Sequence, residues 1–354
     1  RRPPRSTLVP YTTLFRSAVE AKEAPGGVHF NGPLRLGYKA CLYSRIANRI
    51  LLEISTFPCT DESSLYEGGI EIPWENHINP HKTIAVTASS TGETFKNNSY
   101  LALKLKDALV DRLRDKTGTR PSVNTEKPDL LISLHIHGGI ATVSLDLSGP
   151  GLFKRGYRQH QGQAPLKENV AAAALLRLGW EDLAKKGAPL LDPFCGSGTI
   201  LIEAALIAAG IPPLFLRKQF GFMNWINHAE DLWQALLRDA ENLKREGLNN
   251  LPELYGFDID KRAVSSAEQN LRTAFLGRKV RIINASFKDA ARHLGNNTAL
   301  GLICTNPPYG ERLGDKESLK KLYSDLGYTL LKDFKGWRAG IITGDKDLSL
   351  SIPL

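Results

Sequence analysis

A strand, a glycine turn and a helix follow one another from residue 190 onward, and this unit constrains the fold more than any other stretch. Leu190-Leu191-Asp192 is short, apolar and ends in a carboxylate. Gly196-Ser197-Gly198-Thr199 follows, and Ile200, Leu201, Ile202, Ala204, Ala205, Leu206 and Ile207 continue as a buried helix would. Glycines let backbone approach a ligand closely, and the helix N-terminus behind them favours negative groups. No Lys follows the second glycine, which argues against a P-loop, and Leu201 stands where a dinucleotide fingerprint needs its third glycine. A second unit repeats the pattern: a strand over 254–260 carrying Asp258 and Asp260, then a helix over 261–275. Asp258 ends the strand, where a carboxylate suits a pair of ribose hydroxyls. Asp260 is better explained as the N-cap of the helix.

Downstream, the apolar residues Leu300, Leu302 and Ile303 lead into Asn306-Pro307-Pro308-Tyr309. This motif suits a planar NH2 group. The side-chain carbonyl of Asn306 and the backbone carbonyl of Pro307 give two acceptors for two N–H donors, which aims the nitrogen lone pair outward. The prolines stiffen the backbone, and Tyr309 can stack on the ring that bears the amine. Taken alone, the same four residues also read as a turn that ends a strand.

Read together, the two motifs resemble class I methyltransferases that use S-adenosylmethionine, in the branch with an Asn-Pro-Pro-Tyr motif. The resemblance extends through Gly26-Gly27-Val28-His29-Phe30, the run Tyr43 to Ile50, Ser144-Leu145-Asp146-Leu147-Ser148-Gly149, Arg155-Gly156-Tyr157-Arg158, Pro165-Leu166-Lys167-Glu168 and Gly310-Glu311-Arg312-Leu313. These fit the THUMP-bearing bacterial 23S rRNA guanine-N2-methyltransferases. The fold so implied is α/β, a class I Rossmann-like methyltransferase domain over 156–354 preceded over 18–155 by an N-terminal region with an α+β THUMP RNA-binding domain. The resemblance implies that Asp192, Gly196 and Gly198 shape the methionine end of the S-adenosylmethionine site and that Asp258 binds its ribose. Asn306, Pro307 and Tyr309 would hold the guanine. Where the family carries an Asp near the adenine amine, the alignment places Ser286, whose hydroxyl can accept the same hydrogen bond without charge. The implied partner is 23S rRNA, and in many relatives a second rRNA methyltransferase is fused downstream. Adenine N6 in nucleic acid, a protein glutamine amide, and an inactive RNA-binding fragment are the competing readings.

Composition is consistent with a globular cytoplasmic protein: 42% hydrophobic, 23% charged, and no run long enough to span a bilayer. The formal charge of +9 suggests a polyanionic partner. Arg1, Arg2, Arg5 and Arg16 supply four of those charges, with no acid among residues 1–17, which leaves +5 for the rest. Residues 1–17 read as a foreign or disordered leader, and the chain ends soon after a fifth expected strand over 338–343, before the closing strands such domains carry. Cys41, Cys59, Cys195 and Cys304 lack the spacing of a zinc site or disulfide framework. His135 and His137 share one strand face but have no third ligand, so no metal is expected.

In the front region the patterns predict a strand over 82–88, a helix over 99–114 and a hairpin of 130–137 with 140–147 around Gly138-Gly139. The stretch 153–160 interleaves basic and aromatic residues, which fits either a single-stranded RNA surface, with Lys154, Arg155 and Arg158 as phosphate contacts, or a solvated linker. Between the first helix and second strand of the methyltransferase region, Pro212, Pro213, Phe215, Phe220, Phe222, Trp225 and Trp233 precede or open an amphipathic helix over 230–245. The loop before that helix either covers the acceptor base or packs into the core.

Overall fold

The computed structural model describes residues 21–24, 26–91, 95–158, 166–294, 300–310 and 315–353. The expected leader over 1–17 lies outside them, as do Gln159 and His160 of the basic and aromatic stretch.

The front region opens with an antiparallel ribbon of β1 (Ala21–Ala24) and β2 (Gly27–Phe30), followed by α1 (Leu34–Tyr43). Next come β3 (Leu51–Pro58), α2 (Glu62–Glu71), β4 (Ile84–Thr91), α3 (Asn98–Thr117), β5 (Leu130–His137) and β6 (Ile140–Asp146). The last four strands form one sheet in the order β3-β6-β5-β4, with β4 and β5 parallel and the other pairs antiparallel. The expected hairpin is present, and Gly138 and Gly139 turn it with φ of 57° and 75°, the left-handed geometry a tight hairpin demands. Alternation along β5 sends Leu130, Ile132, Leu134 and Ile136 inward against Leu101, Leu105 and Leu109 of α3. His135 and His137 face the other way, their rings stacked at 6.3 Å, and bond to Ser89 and Thr91 of β4. Among the described residues no group of three or more potential metal ligands gathers.

The second half runs α4 (Glu168–Arg177), α5 (Trp180–Lys185), β7 (Leu190–Asp192), α6 (Thr199–Ala208), α7 (Glu230–Gly247), β8 (Leu254–Asp258), α8 (Lys261–Thr273), β9 (Arg281–Asn284), β10 (Leu302–Thr305), α9 (Lys316–Asp333), β11 (Arg338–Ile341) and α10 (Lys346–Leu350). Five strands form a parallel sheet ordered β9-β8-β7-β10-β11. β7 is buried along its whole length, as a central parallel strand is, with Leu190 and Leu191 apolar and the buried Asp192 closing it. The chain builds outward from β7 through β8 to β9, then returns to lay β10 on the other flank. The reversal creates a crevice outside the carboxyl ends of β7 and β10, the place where doubly wound sheets bind ligands.

Most sequence-predicted elements recur with shifted ends. The strand expected over 82–88 spans Ile84–Thr91, and the helix expected over 99–114 reaches Thr117, where Gly118 at φ 71° stops it. The helix after Asp258 ends at Thr273, with Phe275 beyond it. The aromatic loop before α7 resolves in favour of packing. Leu214, Phe220 and Phe222, with Trp233 of α7, join Tyr38 and Leu42 of α1, Leu147 and Leu152 in one buried cluster. The front region and the methyltransferase region therefore share a core.

Beside that shared core lies a buried ion pair. Arg155 and Glu203 are fully buried and meet at 3.3 Å, while Arg155 also donates to the carbonyls of Leu152, Ser44 and Arg45. Arg45 in turn donates to the carbonyls of Leu206 and Ile211 behind α6. Desolvation raises the Glu203 carboxyl above its ordinary range, with Arg155 and Arg45 opposing that rise. Arg155→Ala would leave Glu203 buried without its nearest cation. We expect a loss of about 3–5 kcal/mol in denaturant-induced unfolding; a loss below about 1 kcal/mol, the value for an exposed pair, would refute the junction's role.

Candidate cofactor and acceptor site

Strand register gathers the site. Asp192 pairs with Gly256 across β7 and β8, and Asp258 pairs with Asn284 across β8 and β9. Cys195 N–H donates to the Phe257 carbonyl at 2.9 Å, and Gly196 N–H donates to Asp258 Oδ2 at 3.0 Å. The glycine turn is thus strapped to the neighbouring strand's end. Gly196 and Gly198 have φ of 53° and 81°, left-handed values that explain why both are glycine. Gly198 caps α6 from the N-terminal side, and a Cβ there would press against Ala267 of α8. Buried Asn270 of α8 donates to the Ser197 carbonyl at 3.0 Å and supports the turn from behind.

Asp258 sits half-buried with Oδ2 on the Gly196 amide and Oδ1 on the Asp260 amide, the latter at 2.9 Å. An ionised carboxylate offers about four lone-pair sites, so capacity for two further donors remains. Asp260 is the N-cap of α8, accepting from Arg262 N–H at 2.8 Å. Asn284 donates to the carbonyls of Asp258 and Ile259, which ties the ends of β8 and β9. Ser286, half-buried two residues beyond β9, accepts from Lys288 N–H at 3.3 Å and keeps its own O–H to donate. Phe194 and Phe287 pack at 5.1 Å.

Asp192 is fully buried. Its Oδ1 accepts from the Thr305 hydroxyl at 2.7 Å and from Phe194 N–H at 3.2 Å. Burial pushes its carboxyl up to about 7, against the lowering effect of the Thr305 and Phe194 hydrogen bonds and with a small push from Asp258. Thr305 closes β10 and immediately precedes Asn306, so one hydrogen bond joins the cofactor-side turn to the acceptor motif. Sequence reading missed Thr305 and Asn270, because a threonine in a strand and an asparagine in a helix carry no signal until their partners are known. Beyond Thr305, the side-chain carbonyl oxygen of Asn306 is buried and has no hydrogen-bond partner among the described residues. Pro307 is buried behind it, and Tyr309 packs against Leu319, Tyr323 and Leu348. Cys195 and Cys304 are buried free thiols whose ionisation burial suppresses, as apolar filler would be.

The expected RNA surface over 153–160 needs correction. Among the described basic residues of the stretch, Lys154 alone is exposed. Arg155 is fully buried in the junction ion pair, and Tyr157 is buried with its hydroxyl on Glu203. Arg158 is almost wholly covered, pairing with Glu168 at 3.0 Å and donating to the Leu166 carbonyl and the Thr199 hydroxyl. Burial of Arg155 on Glu203 and three carbonyls, and the pairing of Arg158 with Glu168, leave Lys154 as the exposed cation among the described residues of the stretch. The charges serve the domain junction and the first turn of α6.

The buried Asp192 makes a pH prediction. Unfolded, this carboxyl ionises near its ordinary 3.8; folded, near 7. The folded chain holds the proton more tightly in that window, so its stability falls as pH rises from about 4 to about 7 and levels off above. Asp192→Asn removes this dependence while keeping an acceptor for Thr305. The variant's stability relative to the parent should grow across the window, by at most about 4 kcal/mol at 1.36 kcal/mol per unit. Parallel urea titrations at pH 5 and pH 8 check it, and a constant difference would mean Asp192 does not titrate there.

A family model described as the RMKL-like methyltransferase domain matches residues 155–352, a THUMP domain matches 59–146, and an RlmL ferredoxin-like domain matches 17–51. The ribosomal RNA large subunit methyltransferase K/L of Cellvibrio japonicus is 45% identical over 339 residues, which cover 95% of this chain and 45% of that protein. The chain spans about half the length of the curated relatives it matches. A solved structure of a predicted N6-adenine-specific DNA methylase from Listeria monocytogenes superposes with a TM-score of 0.83 at 30% identity, covering 96% of this chain and 86% of that one. A putative methyltransferase complexed with SAH gives 0.81 at 31%, covering 97% and 88%. The expected fold, a THUMP domain followed by a Rossmann-like methyltransferase domain, is the observed one, and the chain belongs to the family of RMKL-like methyltransferase domains.

Proposed function

We propose that this chain transfers a methyl group from S-adenosylmethionine to the exocyclic N2 of a guanosine in 23S rRNA. The observation that carries the reading is the side-chain carbonyl oxygen of Asn306, buried and without a hydrogen-bond partner among the described residues, beside Pro307 and Tyr309 at the sheet's switch point. A buried unpaired acceptor costs about 1–3 kcal/mol, and it is tolerated where a ligand supplies the donor. An exocyclic amine supplies two N–H groups, one for Asn306 and one for the Pro307 carbonyl.

The residues around the glycine turn fit the cofactor: Gly196 and Gly198 expose backbone at the N-terminus of α6, Asp258 retains acceptor capacity that would serve two ribose hydroxyls, and the half-buried Ser286 hydroxyl beyond β9 would accept from the adenine amine. When bound, the cofactor supplies an electrophilic sulfonium methyl. Asn306 and Pro307 hold the acceptor nitrogen with its lone pair toward the cofactor side, and Tyr309 supports the ring. Such positioning contributes on the order of 7–11 kcal/mol in well-oriented intramolecular reactions. The same geometry would serve adenine N6, the activity for which the Listeria protein is named. The THUMP domain and the rRNA named for the Cellvibrio relative favour RNA. Lys154 remains an exposed candidate for phosphate contact.

Asp258→Ala should weaken S-adenosylmethionine binding by about 1.5–3 kcal/mol, the range for charge-assisted hydrogen bonds. Calorimetry on the folded variant checks it, and an unchanged Kd would sink the ribose assignment.

Asn306→Ala should keep cofactor affinity nearly intact while slowing methyl transfer by at least about a hundredfold, since orientation is its role. A labelled-methyl assay on 23S rRNA transcripts followed by mass mapping tests both the residue and the substrate. Turnover within a few-fold of the parent would reduce Asn306 to a turn residue, and label on adenine would replace guanine as the substrate.

A further inference from the structure

We propose that Gly344 sets the position of the Tyr309 ring and is thereby a positioning residue for the acceptor base. The inference rests on the stacking role proposed above for Tyr309. Gly344 lies in the turn between β11 and α10, away from both motifs that sequence reading singled out. Its φ lies outside the left-handed region, so the backbone does not require glycine there. Space does. A Cβ at Gly344 would lie 3.0 Å from Tyr309 Cε2, 3.5 Å from Cδ2 and 3.7 Å from Cζ, along one edge of the ring.

The turn that carries Gly344 is held on both sides. Ile342 N–H donates to the Thr305 carbonyl at 2.8 Å, which extends the β10–β11 ladder to the residue preceding Asn306. Tyr323 is fully buried in α9, and its hydroxyl donates to Thr343 Oγ1 at 3.2 Å. Asp345 N–H donates to the same oxygen, and the Asp345 carboxylate caps α10 through Asp347 and Leu348 N–H groups. Tyr309, by contrast, is followed by exposed Gly310 at φ 86°. A methyl added at Gly344 therefore meets a backbone turn tied at three points on one side and the edge of a side-chain ring on the other, and the ring is the part expected to give. Glycine lets the ring rest on bare backbone, in a place fixed by the same strand end that fixes Asn306.

The test is a double-mutant cycle of Gly344→Ala with Tyr309→Ala, read by methyl transfer to a 23S rRNA transcript, by cofactor affinity in calorimetry and by thermal melting. A contact at 3.0 Å shifts the ring by a few tenths of an ångström, and since a 1 Å misplacement can cost about 10²-fold, Gly344→Ala should lower kcat/KM for RNA by about three- to tenfold. Cofactor Kd should stay within about twofold. In the Tyr309→Ala background the same change should cost less than about twofold, because residues that act through one another are non-additive. Equal losses in both backgrounds, or a parallel loss of cofactor affinity, would overturn the proposal. If Tyr309→Ala alone leaves kcat/KM intact, the stacking role itself fails, and the proposal falls with it for that separate reason. Tyr323→Phe releases the Thr343 hydroxyl and should give the same signature at smaller size, which keeps the test open if Gly344→Ala melts early.

Discussion

The hydrogen bond from Thr305 to Asp192 is the constraint on which the site depends. Both groups are fully buried, and they lie at the carboxyl ends of the two strands flanking the switch point. Parallel ladder bonds fix the strands laterally but stop where the strands stop, and the functional turns begin just beyond. The Thr305–Asp192 bond carries registration past that limit, joining the turn before α6 to the residue before Asn306. In such a dry setting a satisfied bond is strong and a broken one is costly, so the two turns move as a unit or not at all. The bond from Ile342 N–H to the Thr305 carbonyl brings the β11 turn into the same frame.

The buried junction adds a second frame around the first. Arg155 ties the segment entering the methyltransferase region to Ser44 and Arg45 of the front region and to Glu203 of α6, the helix that begins at the glycine turn. Arg158 reaches the first residue of that helix through the Thr199 hydroxyl. With Phe220, Phe222 and Trp233 packed against α1, the front region is joined to the methyltransferase domain through apolar contact and charge together. An RNA held by the front region would meet the acceptor motif at a set distance. That geometry suits a module that selects a site by placement more than by reading bases.

What the sequence disclosed follows from the range of each interaction. The unit around 190–207, the hairpin at Gly138-Gly139 and the cap at Asp260 were legible because their causes lie within a few residues: apolar periodicity, left-handed glycines, a carboxylate one position before a helix. The burial of Arg155 within the basic stretch at 153–158 was not legible, because composition gives the sign of a charge and not its partner. Glu203 lies 48 positions from Arg155, and the Ser44 carbonyl lies 111 positions away. Cationic side chains next to aromatic ones look like an RNA surface from either side, and only the tertiary fold tells inward from outward. Thr305 was invisible for a related reason, since its hydroxyl acquires meaning only when β7 lies beside β10.

The electrostatics of the crevice bear on the order of events under the proposed reaction. Asp192 is buried and shifted toward neutrality, while Asp258 is half-exposed and hydrogen-bonded to two backbone amides. Two carboxyl groups converging on one turn favour a cation nearby, and a cation arriving there would favour the ionised form of Asp192 in return. A sulfonium bound beside this turn would be such a cation and its neutral thioether product would not, so under the proposed function the carboxyl pair would favour the charged cofactor over the product. The Thr305 hydroxyl is directed at Asp192 and not at Asn306, whose uncharged side-chain oxygen has no hydrogen-bond partner among the described residues and, under the proposed function, would orient the acceptor nitrogen.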